Sequence, residues 1–394
     1  MSDAMPAVSP IAPPAVLPAR IAVVHDWLVD FAGSERALAE ILRCLPEADL
    51  YALVDHMPES ERAPFGVRRA RTTFLQRMPG VARHLDWYLP LMPIAIEQLD
   101  VTGYDLVISS SHAVAKGVIV SPDALHLSYV CSPMRYAWDL QFEYLNEERV
   151  GRGVRGVLLR WLLHRLRLWD HRSAAGVDGF AAISHFIARR ILKAYRRDAD
   201  VIYPPVDTEF FTPGGEREDY YVVVSRLHRY KRVDLLVDAF RRMPERRLVV
   251  IGEGPELASL KARATPNVQF AGRLPADRMR EQLQRARAFL FAAVEDFGIA
   301  PVEAMACGTP VISVNCPAGP AEVLNNGEFG LLIPNDDPNA LADAVVRLID
   351  DPLLARRLSD LSYERAQAFD VKKIVPQWEA LIEVLPTATG KIAG

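Results

Sequence analysis

The chain has 394 residues and a net charge of −4, with 50% apolar and 24% charged residues; it is long enough to bury large cores and too long for one ordinary α/β domain, so two domains are expected. Its four cysteines, Cys44, Cys131, Cys307 and Cys316, have no CxxC spacing, which argues against a disulfide framework or zinc site and reads as packed thiols of a cytosolic protein. No uncharged apolar stretch approaches the roughly 18 residues that a membrane-spanning helix needs.

Residues 1–18 are rich in Ala and Pro, lack a basic start and have prolines breaking any apolar run. A flexible tail rather than a signal peptide is expected there, and with it a cytoplasmic location. Strand-like runs follow at "RIAVV" (20), "DLVISS" (105), "HLSYVC" (126) and "GFAAIS" (179), with helical periodicity over 34–46, 154–173 and 184–196. "YPPVDTEFFTPGG", 203–215, punctuates like an interdomain linker. The alternation then restarts with "YYVVVSR" (220), "RLVVIG" (247), "NVQFAG" (267), "AFLFAA" (288), "PVISV" (310) and "GLLIP" (330). Strand then helix, repeated in both halves, predicts an α/β protein of two doubly wound Rossmann-like domains, 19–203 and 216–370, joined by a linker at 204–215. Ligands of such sheets sit at the carboxyl ends of the strands, so two domains facing across a cleft would share a site.

The loops after these strands supply the candidates. Gly33 leads from the first strand into a helix with Ser34 as its cap, a place where backbone N–H groups can face an anion. His112 ends a later strand, either as a structural histidine or as a site residue. "VSRLHRYKRVDLL", 224–236, sets Arg226 and Lys231 on one loop beside a helix start: a di-anion site, or two solvated charges. "IGEGPE", 251–256, is either a glycine phosphate loop or a tight turn. "EDFGIAPVEAMACGTPV", 295–311, places two carboxylates eight positions apart around Gly298, with Ala300, Ala304, Met305 and Ala306 surrounding Glu303 with apolar packing. A buried carboxylate there asks for a hydroxyl-bearing partner.

Taken in this order, the pieces resemble the GT4 glycosyltransferases, retaining enzymes of the GT-B fold, and among them bacterial polysaccharide mannosyltransferases. Arg226 and Lys231 stand where that family has its diphosphate-binding pair, "FAGRLP" with Arg273 and Leu274 where it has its base-contacting loop, and Glu295 and Glu303 form its E-x7-E motif. "PAGPAEVLNNGEFGLLIP", 317–334, is similar to the family segment that follows. The resemblance implies a nucleotide-sugar donor held by Gly33, Arg226, Lys231, Arg273, Leu274, Glu295, Phe297, Gly298, Ile299 and Glu303. It implies no metal and no cofactor, and a catalytic group of Arg226, Lys231, Glu295 and His112. Glu295 would accept from donor-sugar hydroxyls, Glu303 from the ribose, and His112 would contact the donor sugar. A final helix at 371–388 would cross back to the first domain. One departure concerns the linker: where many members have Asn-Gly before Val-Asp, this chain has Pro204 and Pro205.

The family likeness further implies transfer of mannose from GDP-mannose to a glycan or polyprenyl-diphosphate-linked glycan in surface polysaccharide synthesis. Rival readings are a UDP-sugar-dependent glycosyltransferase, a sugar-nucleotide epimerase and a non-catalytic nucleotide-sugar-binding partner. In the first domain, Arg135, Tyr136, Trp138 and Asp139 form a cluster that is either an acceptor site or plain core. Residues 149–200 hold 12 basic and 4 acidic residues. On the helix at 154–173, Arg160, His164, Arg167 and His171 are predicted as a polar stripe opposite Leu158, Leu159, Leu162, Leu166 and Trp169. That helix either packs its leucines in the core or, with Arg152, Arg155, Arg189, Arg190, Arg196 and Arg197 near, lies on the inner face of the cytoplasmic membrane. Nucleic acid is set aside, since no docking motif accompanies the arginines.

Overall fold

The computed structural model describes residues 20–66, 68–147 and 153–388; the expected tail of 1–18 and Arg152 lie outside them. Its described residues divide into two compact units, the first running to Tyr203 and resuming at Val375, the second spanning Pro204–Ile374.

In the first unit the strands are β1 (Ile21–His25), β2 (Asp49–Ala52), β3 (Arg71–Thr72), β4 (Leu106–Ser111), β5 (Leu125–Val130), β6 (Gly179–Ala182) and β7 (Asp200–Val201). All pair in parallel in the order β3-β2-β1-β4-β5-β6-β7. The connecting helices are α1 (Gly33–Cys44), α2 (Met92–Glu97), α3 (Gln141–Glu147), α4 (Gly153–Ser173) and α5 (His185–Tyr195). β1, β4 and β5 are buried along their whole length, as strands covered on both faces must be, and this is why they do not alternate between core and exposed positions. Each fully buried aliphatic side chain there contributes about 1.5–3 kcal/mol.

The second unit has β8 (Tyr221–Val224), β9 (Leu248–Ile251), β10 (Val268–Gly272), β11 (Ala288–Phe291), β12 (Val311–Val314) and β13 (Leu331–Ile333), all parallel, in the order β10-β9-β8-β11-β12-β13. Its helices are α6 (Val233–Phe240), α7 (Leu257–Arg263), α8 (Ala276–Arg285), α9 (Ile299–Ala306), α10 (Gly319–Val323), α11 (Pro338–Asp350) and α12 (Pro352–Ala366). A last helix, α13 (Val371–Ala388), sets Trp378 edge-on against Tyr129 of β5 at 4.7 Å. Cys44, Cys307 and Cys316 are buried free thiols, and burial pushes those of Cys44 and Cys307 up to about 12, so they pack rather than react.

Three expectations change. The stretch 204–215 is stitched into the second unit: Val206 N–H donates to Phe369 O at 2.9 Å, and Gln284 Nε2 donates to Thr212 O at 2.7 Å. Val206 also forms a β-bridge with Asp370, so the two ends of the second unit's chain lie side by side. The cap of α1 is Ala32 rather than Ser34, and the Ala32 N–H donates to Glu35 Oε2 at 3.1 Å. On α4 most of the predicted apolar face holds, with Leu166 buried beside Leu163 and with Leu159, Leu162 and Trp169 packed against the core, but Leu158 is exposed along with Val154, Val157, Trp161 and Leu168, each at least 54%. Arg167 and His171, expected in solvent, donate to or meet the carbonyls of Ala137 and Ala194, both at 2.8 Å. The buried carboxylate of Asp170 shares the packed side of α4 and pairs with buried Lys116 at 2.6 Å, because neither charge is tolerated alone in the interior.

Candidate functional site

In each sheet the strand order reverses at one point, between β8 and β11 in the second and between β1 and β4 in the first. At such a point adjacent loops diverge and leave a crevice at the carboxyl ends of the strands.

At the second sheet's switch point, β8 leads into the loop of Arg226 and a short 3₁₀ turn, Arg229–Lys231, which ends two residues before α6. Arg226 is exposed. Across the switch point Glu295 follows β11 by four residues, beyond the strand end that the sequence suggested. Its carboxylate pairs with the Lys231 ammonium, the two side chains being 14% and 19% exposed. The structure thus brings together two of the predicted residues that lie 64 positions apart. Gly298 caps α9 at φ +103°, a conformation that L side chains rarely adopt, and turns the chain so that the N-terminus of α9 opens on this crevice loop. Glu303 lies in that helix at 3% exposure, and Ile299 begins it. Phe297 is corrected: its ring is buried against Phe369 at 5.5 Å, so only its backbone is available to a ligand.

The glycines of "IGEGPE" resolve as a turn. A Cβ on Gly252 would stand 1.9 Å from Ser225 O, and one on Gly254 2.5 Å from Leu227 O. With Leu227 N–H donating to Glu253 O at 2.8 Å, the turn after β9 props the loop that carries Arg226. Gly252 N–H donates to Gly272 O at 2.8 Å, which ties in the loop of exposed Arg273 and half-buried Leu274 after β10.

At the first sheet's switch point His25, Asp26 and Glu35 are buried and His112 is half-buried. Asp26, immediately after β1 and wholly inaccessible, accepts from four successive backbone N–H groups of the loop after β4: His112 (2.6 Å), Ala113 (2.9 Å), Val114 (2.6 Å) and Ala115 (2.7 Å). His112 Nδ1 also lies 3.1 Å from Asp26 Oδ2. Its ring meets Trp27 edge-on at 4.5 Å and His25 at 5.7 Å. Behind them His25 Nε2 is 3.3 Å from Glu35 Oε1. Burial holds the His112 ring below its ordinary value, against the charge of Asp26, while His25 and Arg135 push the same way as burial. Burial raises the Glu35 carboxyl, but the hydrogen bond and charge of His25, joined by the charge of His112, outweigh it and leave Glu35 below its ordinary value. The anion that the start of α1 meets beside Gly33 is therefore Glu35 itself.

Asp26, Glu35 and His25 were not singled out from sequence. Their signal was a charged pair, His25-Asp26, closing an apolar strand at the centre of a sheet. Of the acceptor cluster, Arg135 acts electrostatically on His112, and Tyr136 is raised by burial and by the charges of Asp26 and Asp170. Both lie at the switch point. Trp138 is corrected: its indole N–H is donated to Asp170 at 2.7 Å, and its ring packs against the core. Asp139 pairs with Arg190.

Two Rossmann-like units with these strand orders make up the fold of the GT-B glycosyltransferases. Residues 207–365, which nearly fill the second unit, match the family model of the Glycosyl transferases group 1. Over 175 residues the chain is 33% identical to an exopolysaccharide phosphotransferase of Streptomyces coelicolor, covering 42% of this chain and 18% of that one. Over 206 residues it is 30% identical to the GDP-mannose-dependent alpha-(1-6)-phosphatidylinositol monomannoside mannosyltransferase of Mycolicibacterium smegmatis, covering 44% and 54%. The matched part spans about half or less of the length of these and similar curated relatives. Among solved structures, the HepE protein of Anabaena in complex with UDP superposes with a TM-score of 0.67 over 92% of this chain and 99% of its own, at 17% identity, a likeness of fold alone.

Proposed function

We propose that the protein is a retaining glycosyltransferase that moves a hexose, mannose from GDP-mannose, onto a glycan or polyprenyl-diphosphate-linked glycan acceptor in surface polysaccharide synthesis. The observation that carries this reading is the Lys231–Glu295 pair at the switch point of the second sheet, beside exposed Arg226 and the N-terminus of α9. Bond breaking between the anomeric carbon and the diphosphate leaves a cation-like sugar and a concentrated negative charge. Lys231, Arg226 and the first amides of α9 stabilise that charge as it develops, without a metal ion. Glu295, freed from Lys231 by the diphosphate, accepts from the sugar hydroxyls. Glu303 accepts from the ribose, while Arg273 and Leu274 flank the base. At the first sheet His112 accepts from a sugar hydroxyl, and Arg135 and Tyr136 are the residues left to meet the acceptor. The acceptor hydroxyl attacks on the face that the diphosphate leaves, and a phosphate oxygen takes its proton, so configuration is retained.

Release of free nucleotide from GDP-mannose and from UDP-sugars, with and without a lipid-linked glycan, tests this. Acceptor-dependent release of GDP is expected. Release only from a UDP-sugar would replace the donor, interconversion of donor sugars without acceptor would make the protein an epimerase, and binding without turnover would leave a sensor.

A second part of the reading concerns the membrane. Val154, Val157, Leu158, Trp161 and Leu168 follow one another around α4 at i, i+3, i+4, i+7 and i+14, and all are exposed. Arg155, Arg160, His164 and Arg165 are exposed beside them, with Arg165 over the Trp161 ring at 5.9 Å. An apolar stripe flanked by cations suits an anionic lipid surface. Co-sedimentation with phosphatidylglycerol vesicles is expected, lost on Trp161→Glu and absent with phosphatidylcholine. Equal binding to both vesicles, or a dimer that Trp161→Glu dissolves, would remove it.

A further inference from the structure

We infer that Asp26 is a positioning residue for His112, fixing both where the imidazole stands and which of its nitrogens faces the sugar-bearing ligand. The inference rests on the reading above only for the identity of that ligand. Asp26 immediately follows β1 and His112 immediately follows the neighbouring β4, and the two Asp26 oxygens divide four N–H groups between them, Oδ2 taking His112 and Ala113, Oδ1 taking Val114 and Ala115. This clamp fixes the first four residues of the loop after β4, since each N–H must find an acceptor and all four find the same one.

A loop clamp does not require the ring of His112 to turn toward the same carboxylate, yet Nδ1 stands 3.1 Å from Oδ2. The contact is electrostatic and off the line of a good hydrogen bond. A carboxylate is an acceptor only, so the nitrogen that faces it carries the proton. The other nitrogen, Nε2, is then bare in the neutral ring and offers a lone pair. A bare imidazole nitrogen takes a hydroxyl proton donor, as a hexose presents, and repels a second acceptor such as a phosphate oxygen. Trp27 on one side and His25 on another hold the ring plane, leaving Nε2 little freedom to swing away. Burial also disfavours the charged ring, which keeps Nε2 an acceptor at neutral pH.

The test combines a spectrum with a cycle of variants. In wild-type protein labelled with ¹⁵N-histidine, the His112 signals, assigned among nine histidines by their loss in His112→Ala, are expected to report the Nδ1–H tautomer. In Asp26→Asn, whose amide presents a donor to the ring, the balance should move toward Nε2–H. Turnover of the donor should fall about 10²-fold in Asp26→Asn, the scale of a misplacement of about 1 Å. The double variant Asp26→Asn/His112→Ala should be no slower than His112→Ala alone. A wild-type ring in the Nε2–H form overturns the inference, as do rate losses that multiply in the double variant, the mark of a carboxylate that merely supports the fold. Should Asp26→Asn not fold, the wild-type spectrum decides by itself. Absence of turnover with any nucleotide sugar would remove the glycosyltransferase reading and leave the tautomer measurement to judge Asp26.

Discussion

The two switch points share a topology and use their charges in opposite ways. In the second sheet Glu303 is buried and Arg226 exposed, while partly exposed Lys231 and Glu295 pair with one another across the point. In the first they are buried: Asp26 takes four backbone N–H groups, and Glu35 takes the Ala32 N–H together with the His25 ring and the Ser34 hydroxyl. A side chain paired with another side chain can exchange that partner for a ligand, whereas one closed on backbone amides cannot leave without breaking the loop. The second point is built to change partners on binding and the first to hold still.

The largest effect expected from this contrast is on catalysis at the second point. Lys231→Ala and Arg226→Ala should each lower turnover about 10²-fold or more, the loss seen when one donor to a developing anion is removed. Their unfolding midpoints should stay close to wild type, since neither side chain is deeply buried. Near-normal turnover in both variants would end the leaving-group role. Asp26→Ala should show the reverse balance: it strands four N–H groups, and at about 1–3 kcal/mol for an unsatisfied buried group the loss of stability should reach at least about 3 kcal/mol by denaturant unfolding.

The same contrast explains what was legible in the sequence. β1, β4, β5, β8, β9, β11 and β12 announce themselves as runs rich in apolar residues, but β3 and β7 have two residues each, too few to show any period. Arg226, Lys231, Glu295 and Glu303 were picked out because their spacing resembles a known family motif. Asp26 was not, because its partners are backbone amides 86 to 89 positions away, and a backbone donor leaves no trace in composition. On α4 the expected face was right for Leu159, Leu162, Leu166 and Trp169 and wrong for Leu158, Arg167 and His171. Apolar residues occupy more than one side, so hydrophobicity alone does not choose the buried one. The buried side carries Asp170, whose partner Lys116 belongs to a distant segment.

Within the second point, Glu295 and Glu303 can be told apart. Glu303→Gln should weaken nucleoside diphosphate binding by about 1–3 kcal/mol, the worth of a charged hydrogen bond, and the intact donor should feel the same loss. Glu295→Gln should leave diphosphate affinity near wild type and lower turnover of the intact donor. Calorimetry with GDP or UDP beside steady-state rates separates the two, and the opposite pattern would exchange their roles.

The smallest expected effect belongs to the first point, and it is one of pH. His112 is held below its ordinary value, about 6.5, so the unfolded chain takes up a proton before the folded one does as pH falls. Its contribution to stability is complete above that value and declines as pH drops through the folded pKa. Glu35 is held below the ordinary carboxylate value, so its contribution is complete above about 4.5 and declines at lower pH. Two windows result, with histidine the first to yield on acidification. The charges facing His112 set the slope of the upper window: Asp26 and Glu35 oppose the shift, while His25 and Arg135 reinforce it. Denaturant midpoints measured from pH 7 down to pH 4 should fall gently in the upper window and further in the lower. His112→Gln should flatten the upper decline and Glu35→Gln the lower one. A wild-type midpoint that rises on acidification between pH 7 and pH 5, and stops rising in His112→Gln, would show that the histidine is stabilised in its charged form, and the contrast between a held and an exchangeable switch point would lose its first half.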